Sequence, residues 1–171
     1  TDATGAIPHT LTLIPTYQCT AQCKDCCFHS NPGIKHRVPQ DRLLRYIDEA
    51  AELGTIRLVV FTGGEVFLLQ RDLVELVRRC SQHGFLTRIV TNGYWAVNAK
   101  GANERLAPLV EAGLGEINFS TGDDHVEFVP VERVITGLHT SMQRGLGLAL
   151  MIEQRETRTV TRDTVLLAAA R

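Results

Sequence analysis

No apolar run in this chain exceeds five or six residues. A bilayer-spanning helix needs about 20, so a membrane role is not expected. Lys and Arg form no run and the formal net charge is −1, which removes the electrostatic footprint of a nucleic-acid binder. There is no acidic tail either. Thr1–Pro8 shows no charged-then-apolar signal pattern. An initiator Met is also lacking, so the natural start is expected upstream or trimmed. Low-complexity segments, linkers and a second domain are not visible. The 171 residues suffice for one domain with a sizeable core, and 44% hydrophobic with 22% charged residues is ordinary for such a domain.

Against that plain background stand five cysteines. Four of them, at 19, 23, 26 and 27, fall within nine residues, and Cys80 is alone. Disulfides usually join distant segments, whereas a tight cluster without a secretion signal points to metal, and hence to a reducing cytoplasm.

The rest of the chain repeats one pattern: a short β-rich run, a loop and an amphipathic helix. Leu11–Ile14 reads as the first strand, ended by Pro15, and the cysteine loop follows. Leu43, Leu44, Ile47, Ala50 and Ala51 give a 3.6-residue period closed by Gly54. The near-continuous apolar run Ile56–Phe61 fits a strand buried on both faces. After Thr62-Gly63-Gly64-Glu65, a stripe of Leu69, Leu73, Leu76, Val77 and Cys80 predicts a helix closed by Gly84. The third unit is a strand at Phe85–Val90, a loop at Thr91-Asn92-Gly93, and a helix around Glu104–Ala112. Pro108 should lie in the first turn of that helix or kink it. The fourth unit is a strand at Glu116–Ser120, a loop through Thr121–His125, and a helix with Pro130 in first position. Val131, Val134, Ile135, Leu138 and Met142 form its apolar face. Leu146–Ile152 and a helix from about Asp163 complete a fifth unit.

Such alternation predicts an α/β fold with a parallel sheet. The length excludes a full eight-unit barrel of ~250 residues, leaving an open doubly wound sheet or a partial barrel. Either binds ligands beyond the carboxyl ends of its strands. The unusual residues gather there: the cysteines after strand one, Gly-Gly-Glu after two, Thr-Asn-Gly after three, Ser-Thr-Gly-Asp-Asp-His after four.

Three thiolates from one loop can hold three corners of a metal centre. A structural zinc site wants four ligands, and here no second cysteine pair exists, while the adjacent Cys26 and Cys27 do not easily face one ion. An iron–sulfur cluster tolerates three thiolates if one iron is left for another ligand. A zinc-stabilised binding module, a non-catalytic iron–sulfur protein for electron transfer or sensing, and an enzyme with an open iron all remain as readings.

Cys19-x3-Cys23-x2-Cys26 after a first strand, with Gly63-Gly64-Glu65 after the second, resembles the radical SAM enzyme superfamily over nearly the whole chain. The resemblance implies a partial (βα) barrel, with five units visible of an expected six. Residues 1–171 would then be a radical SAM core domain that is C-terminally incomplete. It further implies a [4Fe-4S] cluster held by Cys19, Cys23 and Cys26, with S-adenosylmethionine (SAM) on the fourth iron. One-electron reduction would yield a 5′-deoxyadenosyl radical that abstracts hydrogen from substrate. An oxygen-sensitive cytoplasmic oxidoreductase, fed by a low-potential donor of the flavodoxin or ferredoxin type, is expected. A peptide or protein is one expected substrate class, by association with other members.

Site residues follow by position. Gly63 and Gly64 would let backbone approach the methionine moiety. Glu65 would meet its ammonium, the alternative being an exposed Glu in a tight turn. Asn92 would stand beside the cofactor. Ser120 and Asp123 would meet the ribose hydroxyls, unless Asp123 only caps the next helix. His125 is a candidate acid or base or a structural residue. Arg155, after the fifth strand beside Glu153, is a candidate cation for the cofactor carboxylate. No catalytic side chain is assigned. Three positions depart from the family pattern. Asp25 stands where an aromatic residue often covers the adenine, a role passed to Phe28. Val66 stands where Pro is frequent. Cys27 is extra, either inert or a hydrogen-atom donor. Cys80 belongs to the core.

Overall fold

The computed structural model describes residues 5–153, 156 and 158–170. Strands and helices alternate in the expected order: β1 (Thr10–Thr16), α1 (Gln40–Leu53), β2 (Leu58–Gly63), a 3-10 turn (Val66–Leu69), α2 (Arg71–Gln82) and β3 (Leu86–Thr91). Then come α3 (Ala99–Glu111), β4 (Glu116–Thr121), α4 (Asp123–Val126), α5 (Val131–Gln143), β5 (Gly147–Ile152) and α6 (Arg162–Ala169).

All strands pair in parallel in the order β1-β2-β3-β4-β5. That is a partial barrel of five βα units, with β1 and β5 at its edges. The register sets Leu13, Phe61, Ile89 and Ile117 side by side on four successive strands. All four are buried and belong to the core between sheet and helices. The next row, on the opposite face, holds Thr12, Val60, Arg88 and Glu116. There Arg88 Nη2 donates to Glu116 Oε2 at 3.0 Å. Period-2 alternation thus separates an apolar, helix-covered face from one that carries an ion pair.

The helices dock through the predicted stripes. Leu43, Ile47 and Ala50 of α1 are buried, as are Leu73, Leu76, Val77 and Cys80 of α2. Phe67 of the 3-10 turn stacks on Trp95 at 4.3 Å between ring centroids, tying the loop after β2 to the loop after β3. Among the described residues no helix is long and apolar enough to cross a membrane.

Six local expectations are corrected. Pro15 does not end β1. The strand runs on to Thr16, but the register slips between Leu13 and Thr16, since proline has no N–H for the ladder. Leu69 lies in the 3-10 turn ahead of α2. Helix α3 begins at Ala99, because the Asn98 side chain accepts from Gly101 N at 2.9 Å and caps it there, so Pro108 falls within the helix and not in its first turn. Pro130 immediately precedes α5, and Met142 at the end of α5 is 60% exposed. The stretch read as a loop after β4 contains the single helical turn α4.

Candidate active site at the strand ends

The turn-forming hydrogen bonds of the cysteine loop are local. Cys26 N–H donates to the Cys23 carbonyl at 3.3 Å and His29 N–H to the Cys26 carbonyl at 2.9 Å. The x2 spacing is therefore a tight turn. Cys19 is tied instead to the far end of the loop, through its N–H to the Asn31 carbonyl at 3.2 Å. Cys19, Cys23 and Cys26 are half-buried, Cys27 is exposed and Cys80 is buried.

Cys19, Cys23, Cys26 and Cys27 line a cavity of about 230 Å3 at the carboxyl ends of the strands. Gly63, Gly64 and Glu65 line it from β2, Asn92 from β3 and Ser120 from β4; Phe28, Asp25, His125 and Glu153 also face it. Residues 134 positions apart in sequence, Cys19 and Glu153, thus share one wall. Burial raises the Cys19 thiol pKa. It raises that of Cys23 to about 12, helped by the negative charges of Cys19, Glu153, Cys26 and Asp124. Unligated, Cys23 holds its proton; a bound metal must displace it.

The Gly-Gly-Glu turn is built against this loop. Gly64 N–H donates to Thr16 O and Glu65 N–H to Gln18 O, both at 2.8 Å. A Cβ on Gly64 would lie 2.1 Å from the Gln18 carbonyl oxygen, so only glycine allows the two strand ends to meet. Glu65 is 1% exposed, which rules out the exposed-turn alternative. Its carboxylate turns inward. Oε1 accepts from Phe67 N at 3.0 Å and Thr91 Oγ1 at 2.9 Å, and Oε2 from Asn92 N at 2.8 Å. Burial raises its pKa to about 7, against the lowering effect of those donors.

Asn92 closes the circuit. Its Nδ2 donates to Thr20 Oγ1 at 3.0 Å and to Cys19 Sγ at 3.7 Å, while its Oδ1 accepts from Tyr94 N at 3.0 Å. Asp123 lies outside the cavity lining. Its carboxylate accepts from Thr159 N, Thr159 Oγ1 and Val160 N at 2.6 to 3.0 Å, holding the approach to α6 against α4. His125 Nδ1 lies 3.2 Å from Glu153 Oε2, and Glu153 Oε1 accepts the Asp124 N–H. Gly122, at φ 145, makes room for Glu153: a Cβ there would fall 2.1 Å from its Cγ. Arg155 lies outside the described residues. Thr20 has no role assigned from sequence, and Thr91 enters there only as part of the Thr91-Asn92-Gly93 turn. Their signal is position alone, one beside a cysteine and one at a strand end.

A family model described as the radical SAM superfamily matches residues 13–145, from β1 to the loop after α5. The chain belongs to the radical SAM superfamily. It is 30% identical over 112 residues to the putative peptide biosynthesis protein YydG of Bacillus subtilis (strain 168), covering 66% of this chain and 35% of that protein. It is 35% identical over 121 residues to the PqqA peptide cyclase of Rhodopseudomonas palustris, covering 68% and 29%. It is 34% identical over 145 residues to that of Granulibacter bethesdensis, covering 81% and 35%. The chain therefore spans about a third of the length of these curated relatives. Among solved structures, BtrN in complex with AdoMet and 2-DOIA superposes with a TM-score of 0.60 at 16% identity, over 86% of this chain and 58% of that one. Streptococcus suis SuiB bound to S-adenosylmethionine gives 0.52 at 17%, over 88% and 42%. These two show the fold.

The radical SAM superfamily uses a [4Fe-4S] cluster and SAM. The donor set in this chain fits such a group. Three half-buried thiols of one loop, Cys19, Cys23 and Cys26, share one cavity with the exposed Cys27. Three thiolates suit a polynuclear centre in which each takes a different iron and one iron is left for another ligand.

Proposed function

We propose that this chain carries the catalytic core of a radical SAM enzyme that modifies a peptide. The observation behind this reading is the shared cavity, where three half-buried cysteines of one loop face Gly-Gly-Glu from the neighbouring strand end. The relatives whose names refer to peptides support the substrate class. When bound, the cluster and SAM supply reductive cleavage to a 5′-deoxyadenosyl radical able to abstract hydrogen.

In this reading Cys19, Cys23 and Cys26 hold the irons. Gly63 and Gly64 offer backbone without side chains to the methionine moiety, and Asn92 borders it. Glu65 acts chiefly from beneath: its buried carboxylate fixes the ends of β2 and β3 on which that moiety rests. Ser120 meets a ribose hydroxyl, while Asp123, outside the cavity lining, holds residues 159–160. Phe28, edge-on to Tyr17 at 6.2 Å between centroids, gives an apolar cover in place of the aromatic absent at position 25. His125, oriented by Glu153, faces the substrate side and can hold or pass a proton there. Walls of this kind keep water from a reactive intermediate. A low-potential donor of the flavodoxin or ferredoxin type and a cytoplasmic setting complete the proposal.

The test is anaerobic reconstitution of the full-length protein with iron and sulfide, followed by reductant and SAM. A brown protein that releases 5′-deoxyadenosine is expected, and Cys23→Ala should abolish release. A cluster-loaded protein that releases none is an electron-transfer or sensing protein instead, and a colourless zinc-loaded one a binding module.

A further inference from the structure

The cysteines lining the cavity are not equivalent. Among the described residues the hydrogen bonds to sulfur both end on Cys19: one from Ala21 N at 3.4 Å, the other from Asn92 Nδ2 at 3.7 Å. The first is a backbone contact within the loop. The second comes from a side chain 73 residues away and is the one that substitution can remove.

That amide is held in one orientation. Asn92 Oδ1 accepts from Tyr94 N, which settles which end of the amide is oxygen and which nitrogen. Nδ2 then has two hydrogens and two acceptors, Thr20 Oγ1 and Cys19 Sγ. The residue itself is 7% exposed, and its backbone N–H is fixed by Glu65 Oε2 at 2.8 Å. Tyr94 N, Glu65 and Thr20 thus aim one N–H at one sulfur.

We propose that Asn92 is a positioning residue that sets the reduction potential of the cluster through Cys19. This rests on Cys19 being a cluster ligand. Thiolate sulfur carries more negative charge when the cluster is reduced, so a donor aimed at it stabilises the reduced form and raises the potential. Cys23 and Cys26 receive no such side-chain donor among the described residues, so the effect enters from one corner of the cluster. Glu65 contributes through Asn92, by fixing the backbone from which the amide projects.

The measurement is an EPR-monitored potentiometric titration of the cluster in the full-length, reconstituted protein without SAM. Activity plays no part in it. N92D is close to isosteric and keeps the acceptor for Tyr94 N, but turns an oxygen toward Cys19 in place of the N–H. N92A removes the donor. T20V removes the other anchor of the amide without touching sulfur. The potential should fall in all three, most in N92D, less in N92A and least in T20V, with wild-type iron content in T20V. Potentials equal to wild type in every variant that loads a cluster overturn the proposal; T20V decides if the Asn92 variants fail to load. A wild-type protein that assembles no cluster at all overturns the ligand assignment and this inference with it.

Discussion

The backbone N–H of Asn92 donates to Glu65 Oε2 at 2.8 Å, joining residues 27 apart in sequence and the ends of two adjacent strands. Thr91 Oγ1 and Phe67 N donate to the same carboxylate. Charged side chains are rarely buried to this extent unless paired. Here two backbone N–H groups and a hydroxyl stand in for a cation. The gain is geometric: the Gly-Gly-Glu turn, the Thr-Asn-Gly turn and Cys19 become one connected network.

This buried carboxylate predicts a pH dependence of stability. Burial raises the Glu65 pKa to about 7, whereas an unfolded Glu titrates near ~4.3. The native state therefore holds a proton that the unfolded chain has lost between those values. The associated stabilisation is full below pH ~4.3 and is lost as pH rises to about 7, by on the order of 3 kcal/mol. Chemical denaturation of wild type and Glu65→Gln from pH 5 to 8 checks this. The wild type should lose stability relative to the variant as pH rises; a pH-independent difference between them would count against it.

The fold was legible because its signals repeat. Apolar runs at Ile56–Phe61 and stripes such as Leu73, Leu76, Val77 and Cys80 each report local burial, and burial is what folds them. Helix α4 escaped because a single turn of Asp123–Val126 shows no 3.6-residue period. The start of α3 escaped because its first turn carries little apolar signal; Asn98 was the available cue. In the site, position at a strand end found Cys19, Cys23, Cys26, Gly64 and Ser120, all of which face the cavity. It did not find the direction of the Glu65 carboxylate or the partners of Asp123. Those depend on hydrogen bonds to Thr91, Asn92, Thr159 and Val160, which lie 26 to 37 residues downstream. No local pattern encodes such pairings.

Burial also orders the reactivity of three of the five thiols. In metal-free protein, Cys27 is exposed, whereas Cys80 is fully buried with its pKa raised to about 12 by burial. Cys23 is half-buried with a pKa near the same value. The thiolate is the species that alkylates. Iodoacetamide at pH 8 should therefore modify Cys27 first, Cys23 slowly and Cys80 only on unfolding. Peptide mass spectrometry reads the order directly, and early labelling of Cys80 would contradict the packing of α2.

Gly64→Ala tests the contact between the two strand ends. The new Cβ would stand 2.1 Å from Gln18 O and 2.7 Å from Gln18 C, both backbone atoms that no rotamer change can move. Overpacking against backbone costs about 1–3 kcal/mol or more. A clear drop in Tm is expected, together with poorer iron uptake, because the displaced Gln18 adjoins Cys19. Gly145→Ala is a useful contrast. It carries the strain of a positive φ, at 74, which Gly64 does not, but a Cβ there meets nothing within 4 Å. It should cost less than Gly64→Ala and leave iron uptake intact. Equal losses in the two variants would show that the contact with Gln18 is not the cause.

Cys27 separates the proposed ligands from their neighbour. It lines the same cavity as Cys26, so lining alone does not distinguish the two. Their backbones do. Cys26 N–H closes the turn onto the Cys23 carbonyl at 3.3 Å, whereas Cys27 has no bond of this kind among the described residues and stands exposed. Adjacent cysteines do not easily face one metal centre. Cys27→Ser should therefore retain wild-type iron and sulfide content after anaerobic reconstitution, with unchanged visible absorbance. Cys19→Ser, Cys23→Ser and Cys26→Ser should each lose most of both. If Cys27→Ser loses its iron while Cys26→Ser keeps it, the ligand at the third corner is Cys27 and the turn must re-form around it.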